Sequence, residues 1–349
     1  MLHQWAELAP AKVNLFLQVL GPRLDGYHDL VSVMTTVGLC DVVAVEPVES
    51  TPDVPDAGVT VFCAFPGVPG GAENICHAAA HALWRDAAQK RGDDDTDDDE
   101  GGDGVAGADV RAVPSVYIRV KKRIPVGAGL GGGSADAAAA LRALNRMWRL
   151  GYDAGALRRV AVALGSDVPF CVRGGAAVVV GRGEELREFG PCAPFWVAII
   201  DPGFAVATAD AYRWLDEWRR GGRQVGAAAA EGHATAPEVD AAAAEMDRAA
   251  AEAAAWRVAT ALARGDLAVL AQSARNSFQP ALEARFPALR RIREAAATRA
   301  ATAMLTGSGA AVVAVARDRR GALAAARAAT ATGLVRRFWV APHRPPAKR

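Results

Sequence analysis

Five glycines fall within seven residues of the segment Pro125-Val126-Gly127-Ala128-Gly129-Leu130-Gly131-Gly132-Gly133-Ser134. A strand-like stretch precedes it, and a helical pattern follows, with Ser134 predicted as N-cap. Glycine lets the backbone turn sharply and approach a ligand, and the N–H groups at a helix start attract anions. The chemistry of such a segment is a phosphate cradle. It lacks G-K-[ST], which excludes a Walker P-loop. G-x-G-x-x-G does occur at Gly127, Gly129 and Gly132, but the surroundings do not suit a dinucleotide site. Lys121-Lys122-Arg123 and Pro125 stand where a buried parallel strand should be apolar. Asp153, the acid about twenty residues on, follows a Gly-Tyr turn and not a strand end. The V-A-I-K, H-R-D and D-F-G elements of eukaryotic-type protein kinases are also missing.

Two charged residues elsewhere stand out by their type and setting. Only five of the 40 basic residues are lysines, three of them Lys12, Lys121 and Lys122. Arginine is the default cation here, so a lysine in an ordered segment needs a reason. Lys12 shares a predicted strand face with Asn14 and would need a carboxylate partner if enclosed. Asp167 lies in Leu164-Gly165-Ser166-Asp167-Val168-Pro169-Phe170, where Val-Pro is expected to keep a helix from forming. Taken alone, it reads as a turn-forming aspartate, and Lys12 as a strand-edge lysine that deters aggregation.

The elements that must position these groups follow from periodicity. Residues 11–20 alternate, with Val13, Leu15, Leu17 and Val19 on one face and Lys12, Asn14, Phe16 and Gln18 on the other. Strands are predicted over 30–48, 115–124, near 176–181 and 195–200, and at 335–340. Helices are predicted over 73–90, with Ile75, Ala79 and Leu83 in the buried stripe, over 134–150 with Leu141, Leu144 and Trp148, and over 319–331. Residues 305–317 read as a turn and then a strand. The fold class is α+β in two lobes, divided at 1–190 and 191–349. Length agrees, since roughly 100–200 residues make a domain.

Composition narrows the partners. Of the 349 residues, 79 are alanine and 51% are hydrophobic, enough for a sizeable core. The net charge of +1 is a cancellation: eight acids between Asp93 and Asp103 offset a chain that would otherwise stand at +9. Residues 91–109 have no apolar periodicity and are expected to form a disordered insert, without the spacing of a calcium loop. A second alanine-rich insertion is expected over 222–250. Neither nucleic acid nor membrane is indicated, but an anionic small molecule is compatible. No long uncharged apolar run or basic-then-apolar leader stands out, and five scattered cysteines make no disulfide framework, so a cytoplasmic setting is expected. Cys76, His77 and His81 lack further ligands and read as one helix face, not a metal site.

Four segments together resemble the motifs of the GHMP small-molecule kinases, named for galactose, homoserine, mevalonate and phosphomevalonate. They are Ala9-Pro10-Ala11-Lys12-Val13-Asn14-Leu15 with Asp25-Gly26-Tyr27-His28, the glycine segment continuing through Ala135, the Asp167 segment, and Leu305-Thr306-Gly307-Ser308-Gly309. Their order and spacing over about residues 9–340 make the resemblance specific.

It implies a two-lobed fold, with an N-terminal ATP-binding α/β lobe and a C-terminal ferredoxin-like lobe. It also implies ATP with Mg²⁺ as the phosphoryl donor, Mg²⁺ having no dedicated protein site beyond Ser134, and Lys12 with Asp167 as the catalytic pair. Pro125–Ala135 would hold ATP, with Asn74 and Lys122 near its adenine and ribose. Asn14, Tyr27, His28, Thr208, Tyr212, Thr306, Gly307 and Ser308 would hold the acceptor, and Tyr212 matches a second aromatic wall better than Phe204. Tyr27 and His28 suit a cytosine, since aromatic rings stack on bases and imidazole bonds base edges. The combination is most similar to the branch acting on a cytidine-diphosphate-linked sugar alcohol, as monomer or homodimer. A kinase for homoserine or mevalonate, or a non-catalytic nucleotide binder, are the competing readings. Where relatives carry Asn-Asp-Leu, this chain has Asn276-Ser277-Phe278.

Overall fold

The computed structural model describes residues 5–23, 26, 28–49, 58–94, 113–227 and 241–346. Most of the acidic insert, part of the 222–250 stretch, Asp25 and Tyr27 lie outside them. The elements run β1 (Trp5–Pro22), β2 (His28–Pro47), β3 (Val59–Cys63), a 3₁₀ turn at Gly71–Glu73, α1 (Ile75–Asp94), β4 (Val116–Lys121), α2 (Gly132–Met147), α3 (Ala154–Ala161), α4 (Val168–Arg173), β5 (Ala176–Gly181) and β6 (Glu185–Glu188). Then come β7 (Trp196–Asp201), α5 (Thr208–Ala227), α6 (Ala241–Arg264), α7 (Leu267–Ser273), α8 (Gln279–Arg285), α9 (Pro287–Ala297), β8 (Thr302–Leu305), β9 (Val312–Ala316), α10 (Arg319–Thr330) and β10 (Arg337–Pro342).

Strands β3, β4, β2, β5 and β6 lie in that order in one sheet, and β1 pairs antiparallel with β2 along most of its length. The second sheet has the order β10-β7-β9-β8 with antiparallel neighbours. With its helices it forms the β-α-β-β-α-β arrangement of ferredoxin-like folds. The two-lobed α+β architecture is therefore present.

Burial explains the local choices. On β1, Val13, Leu15, Leu17 and Val19 are buried as the alternation predicts, but Phe16, Lys12 and Asn14 are buried too. The register with β2 shifts between Pro10 and Lys12 and again between Asn14 and Phe16. Such bulges re-aim side chains and often border functional sites. The polar face of this strand thus looks into the molecule.

Helix α2 packs against β1 and β2 on one side and α1 and α4 on others, so that Ala137–Ala140, Leu141 and Leu144 are all fully buried. Alanine at these positions keeps the helix close to the sheet. In α1, Ala79 and Leu83 are buried and Ile75 only partly so; Trp148 caps α2 half-buried, its ring 5.3 Å from Trp84.

Several short elements escape the periodicity. Strand β3 has five residues, and β6 is the charged, largely uncovered stretch Glu-Leu-Arg-Glu. Helix α2 begins at Gly132, two residues before the expected start, with Gly131 at the N-cap in the left-handed region and Ser134 inside the first turn. The Val-Pro after Asp167 does not prevent a helix. It opens α4, because proline in a first turn gives up an N–H that has no partner there.

Candidate active site

A cleft of about 460 Å³ is lined by Lys12, Asn74, Lys122, the segment Pro125–Ser134, Asp136, Asp167, Val206, Thr208 and Ser308. Its floor is the glycine segment, held on three sides. The Gly127 carbonyl accepts the Val206 N–H at 3.0 Å, the Leu130 carbonyl accepts the Lys12 N–H at 3.0 Å, and the Ala128 carbonyl accepts the Ala311 N–H at 3.3 Å. Gly129 has φ +77°, and a Cβ there would overlap the Thr306 carbonyl. Gly309 lies equally tight on Ala128 and Gly129, so the two glycine loops interlock backbone to backbone.

Ala128 and Leu130 turn their side chains into the core, which leaves main chain facing the cleft. Ala135 does not line it; its N–H closes on the Gly131 carbonyl at 2.9 Å and is spent inside the helix. The predicted phosphate cradle therefore ends at Ser134.

Lys12 reaches the cleft from beneath Gly131, where a Cβ would come 2.8 Å from its Cγ. Its ammonium lies 3.2 Å from Asp167 Oδ2 and donates to Asn14 Oδ1 at 2.8 Å. Lys12 is 4% exposed and the Asp167 side chain 27%. Asp167 stands at the N-cap of α4 but makes no capping bond, so its carboxylate is committed to Lys12 and to whatever occupies the cleft.

Asn14 is a support more than a wall. Its amide donates to Ser32 Oγ at 2.8 Å, and its N–H donates to Thr306 Oγ1 at 2.8 Å. Thr306 is fully buried, Gly307 packs on Gly129, and Ser308 reaches the cleft with its hydroxyl 3.1 Å from that of Thr208.

Beyond Asp167, His28 and Tyr212 face each other with ring centroids 4.6 Å apart. Tyr212 is braced edge-on by Phe278 at 4.9 Å, and His28 Nε2 lies 3.3 Å from Asp216. Burial pushes the Tyr212 phenol up to about 12, the charges of Asp167 and Asp216 adding to it, so the ring stays neutral. Phe204 instead packs on Phe286. Tyr27 lies outside the described residues.

On the opposite side, Asn74 spends its amide on the Pro69 carbonyl and the Cys76 N–H. Lys122 lies between Asp41 and Asp136, 2.5 and 2.6 Å from their carboxylates. Burial pulls its ammonium down, but the two carboxylates outweigh this and hold it above the usual lysine value. Burial likewise pushes the Asp136 carboxyl up to about 7 against the pull of Lys122.

Asn276 is the residue that sequence reasoning undervalued. Its amide donates to the carbonyls of Leu305 and Gly307 at 3.0 and 2.9 Å, and its Oδ1 accepts the Phe278 N–H. It pins the Thr306–Gly309 turn from below. A buried asparagine beside a phenylalanine was the signal available, but its partner lies about thirty residues away, at a distance that no local pattern reports. Among the described residues, no group of three or more His, Cys, Asp or Glu side chains forms a metal cluster, and no helix is long and apolar enough to cross a membrane.

A cleft floored by a glycine loop, a lysine–aspartate pair and a ferredoxin-like second lobe define a class that comparison with known proteins identifies. The family model for the GHMP kinase N-terminal domain matches residues 102–175, and that for the C-terminal domain matches residues 258–333. The chain is 35% identical to a 4-diphosphocytidyl-2-C-methyl-D-erythritol kinase of Symbiobacterium thermophilum, over 88% of this chain and 89% of that one. It is 42% identical to the kinase of the same name from Pelotomaculum thermopropionicum over 59% of this chain, a match spanning 62% of that relative's length. A crystal structure of 4-(cytidine 5'-diphospho)-2C-methyl-D-erythritol kinase superposes with TM-score 0.65 at 28% identity, covering 97% of this chain and 98% of that one. A homoserine kinase from Cytophaga hutchinsonii superposes with TM-score 0.66 at 17% identity, covering 98% and 95%, and so shares the fold. The chain belongs to the GHMP kinase family.

Proposed function

We propose that this chain is a 4-diphosphocytidyl-2-C-methyl-D-erythritol kinase, transferring the γ-phosphoryl group of ATP to the tertiary 2-hydroxyl of the methylerythritol unit. The observation that carries the reading is the Lys12–Asp167 pair, which opens onto the same cleft as the glycine cradle. The name shared by the relatives, one of them matched over 89% of its length, supports the choice of acceptor. His28 and Tyr212, in ring contact with centroids 4.6 Å apart, supply an aromatic surface for a pyrimidine to stack on, where a kinase for homoserine or mevalonate needs none.

Phosphoryl transfer passes through a loose transition state, so the protein acts mainly by positioning and by neutralising charge. The N–H groups between Gly127 and Ser134 bind the donor phosphates. The Ser134 hydroxyl, in the first turn of α2, would contact a Mg²⁺ ion bound with ATP, which would supply charge neutralisation. Asp167 accepts a hydrogen bond from the acceptor hydroxyl and aims it in line. As the new O–P bond forms and the bond to ADP breaks, the hydroxyl proton passes to the carboxylate. Lys12 holds Asp167 in place and offsets the charge on the transferring group.

Thr208 and Ser308 form the wall between donor and acceptor. The 1–190 and 191–349 division assigns the cradle to the first lobe and Thr208, Tyr212 and Ser308 to the second. Five unpaired thiols accord with a reducing cytoplasm. The function is tested by mixing the protein with ATP, Mg²⁺ and the cytidine-diphosphate-linked alcohol and following ADP release. A folded protein that releases no ADP overturns it.

A further inference from the structure

We propose that Lys122, with Asp41 and Asp136, is a positioning device that ties together both ends of the glycine loop, its ammonium spent on the two carboxylates and not on the nucleotide. The inference rests on the nucleotide-binding reading above and departs from the resemblance, which sets Lys122 beside the adenine and ribose.

The three side chains are 3%, 0% and 5% exposed. Asp41 ends its service on β2 by accepting the N–H groups of Arg123 and Ile124, the two residues that lead into Pro125. Asp136 belongs to α2, the helix into which the loop runs. Gly132, the first residue of that helix, lies directly on the cluster: a Cβ there would stand 3.2 Å from Lys122 Nζ and 3.1 Å from Ile124 Cγ2. The chain entering the loop and the chain leaving it thus converge on one ammonium.

Three physical points separate this role from a direct contact. A lysine that swung out to a nucleotide would leave two buried carboxylates unpaired, which a low-dielectric interior penalises heavily. With one or both carboxylates ionised the cluster is neutral or net negative, so it does not serve to attract phosphate; what it can do is fix geometry. Finally, a compact ammonium with rotatable donors suits two carboxylates that approach it from different elements, as Asp41 and Asp136 do. That accounts for one of the few lysines in this arginine-rich chain.

The test uses Lys122→Met, Asp136→Asn and the double variant in the full chain. ADP and a non-hydrolysable ATP analogue are titrated calorimetrically, and amide exchange is followed over residues 124–133 in nucleotide-free protein. Both single variants are expected to speed exchange in the loop and to weaken nucleotide binding by about ten- to a hundredfold, as small misplacements do. The double variant is expected to be no worse than the poorer single one, because both remove the same tie. The KM for ATP is expected to rise while that for the acceptor alcohol stays within about twofold of its original value.

If Asp136→Asn leaves nucleotide affinity intact while Lys122→Met destroys it, the lysine is a direct ligand and the proposal is wrong. Additive losses, or unchanged exchange in the loop, overturn it as well. The near-isosteric Asp136→Asn decides the matter if Lys122→Met does not fold. Absence of nucleotide binding in the unsubstituted chain would count against the kinase reading, and loop exchange would still judge the tie.

Discussion

At the scale of single residues, the proposed chemistry rests on Lys12 and Asp167, paired at 3.2 Å. Removing either should act on the transition state more than on the bound nucleotide. Asp167→Asn and Lys12→Ala are each expected to lower turnover by about 10²-fold or more, while ADP still binds within a few-fold of its original affinity. Steady-state assays beside calorimetry check this, and unchanged turnover in either variant removes that residue from the mechanism. Both residues were legible from the sequence, Lys12 because lysine is scarce and Asp167 through its place among the motifs. Their supports were less so. Asn14 and Thr306 were read as acceptor contacts, yet each is buried and spends its polar atoms on neighbours. Sequence marks such residues as polar and special; it does not say which way they point.

At the scale of elements, the decisive feature is the interlock between the loop after β4 and the turn between β8 and β9. Gly129 is in the left-handed region and has the Thr306 carbonyl where a side chain would begin. Gly129→Ala is expected to destabilise the fold by more than about 1 kcal/mol, since positive φ alone costs alanine that much before any overlap. Urea denaturation measures it, and a variant as stable as the parent would mean that the loops do not pack so closely. The glycine count announced a loop that approaches something. A phosphate was the natural reading, and another stretch of backbone proved to be a second answer for Gly129. Helix α4 shows the opposite limit. Its six residues are too few for a periodic stripe, so Pro169 dominated the reading, although proline favours a first turn. The β1 bulges were invisible for a related reason, because a register shift depends on the partner strand.

At the scale of the whole molecule, the two sheets are joined by more than the glycine loops. The main chain at Ser277 and Arg275 bonds Leu17 of β1 at 2.8 Å on each side, and the segment after β10 returns to β2. There Thr36 Oγ1 accepts the Gly175 N–H at 2.8 Å and donates to the Arg344 carbonyl at 2.9 Å, in a site with no exposure of Thr36. Thr36→Val keeps the shape and strands both partners, so a loss of about 1–3 kcal/mol is expected in equilibrium unfolding. No loss would show that the strap is incidental. The two-lobed architecture was legible from the order of strands and helices and from the motifs that span them. The ties between lobes were not, since they rest largely on backbone groups that every residue carries, and the side chains that join in, such as Thr36, find their partners far along the chain.

In the proposed function, the lysine–aspartate pair and the glycine cradle together phosphorylate an alcohol carried on cytidine diphosphate. The most direct measurement is coupled ADP release with ATP and Mg²⁺ across a panel of 4-diphosphocytidyl-2-C-methyl-D-erythritol, homoserine and mevalonate. ADP release is expected with the cytidine-linked alcohol, to be inhibited by added CDP and lost in Asp167→Asn. Release driven by homoserine or mevalonate instead, or none from the folded protein with any acceptor, would contradict it.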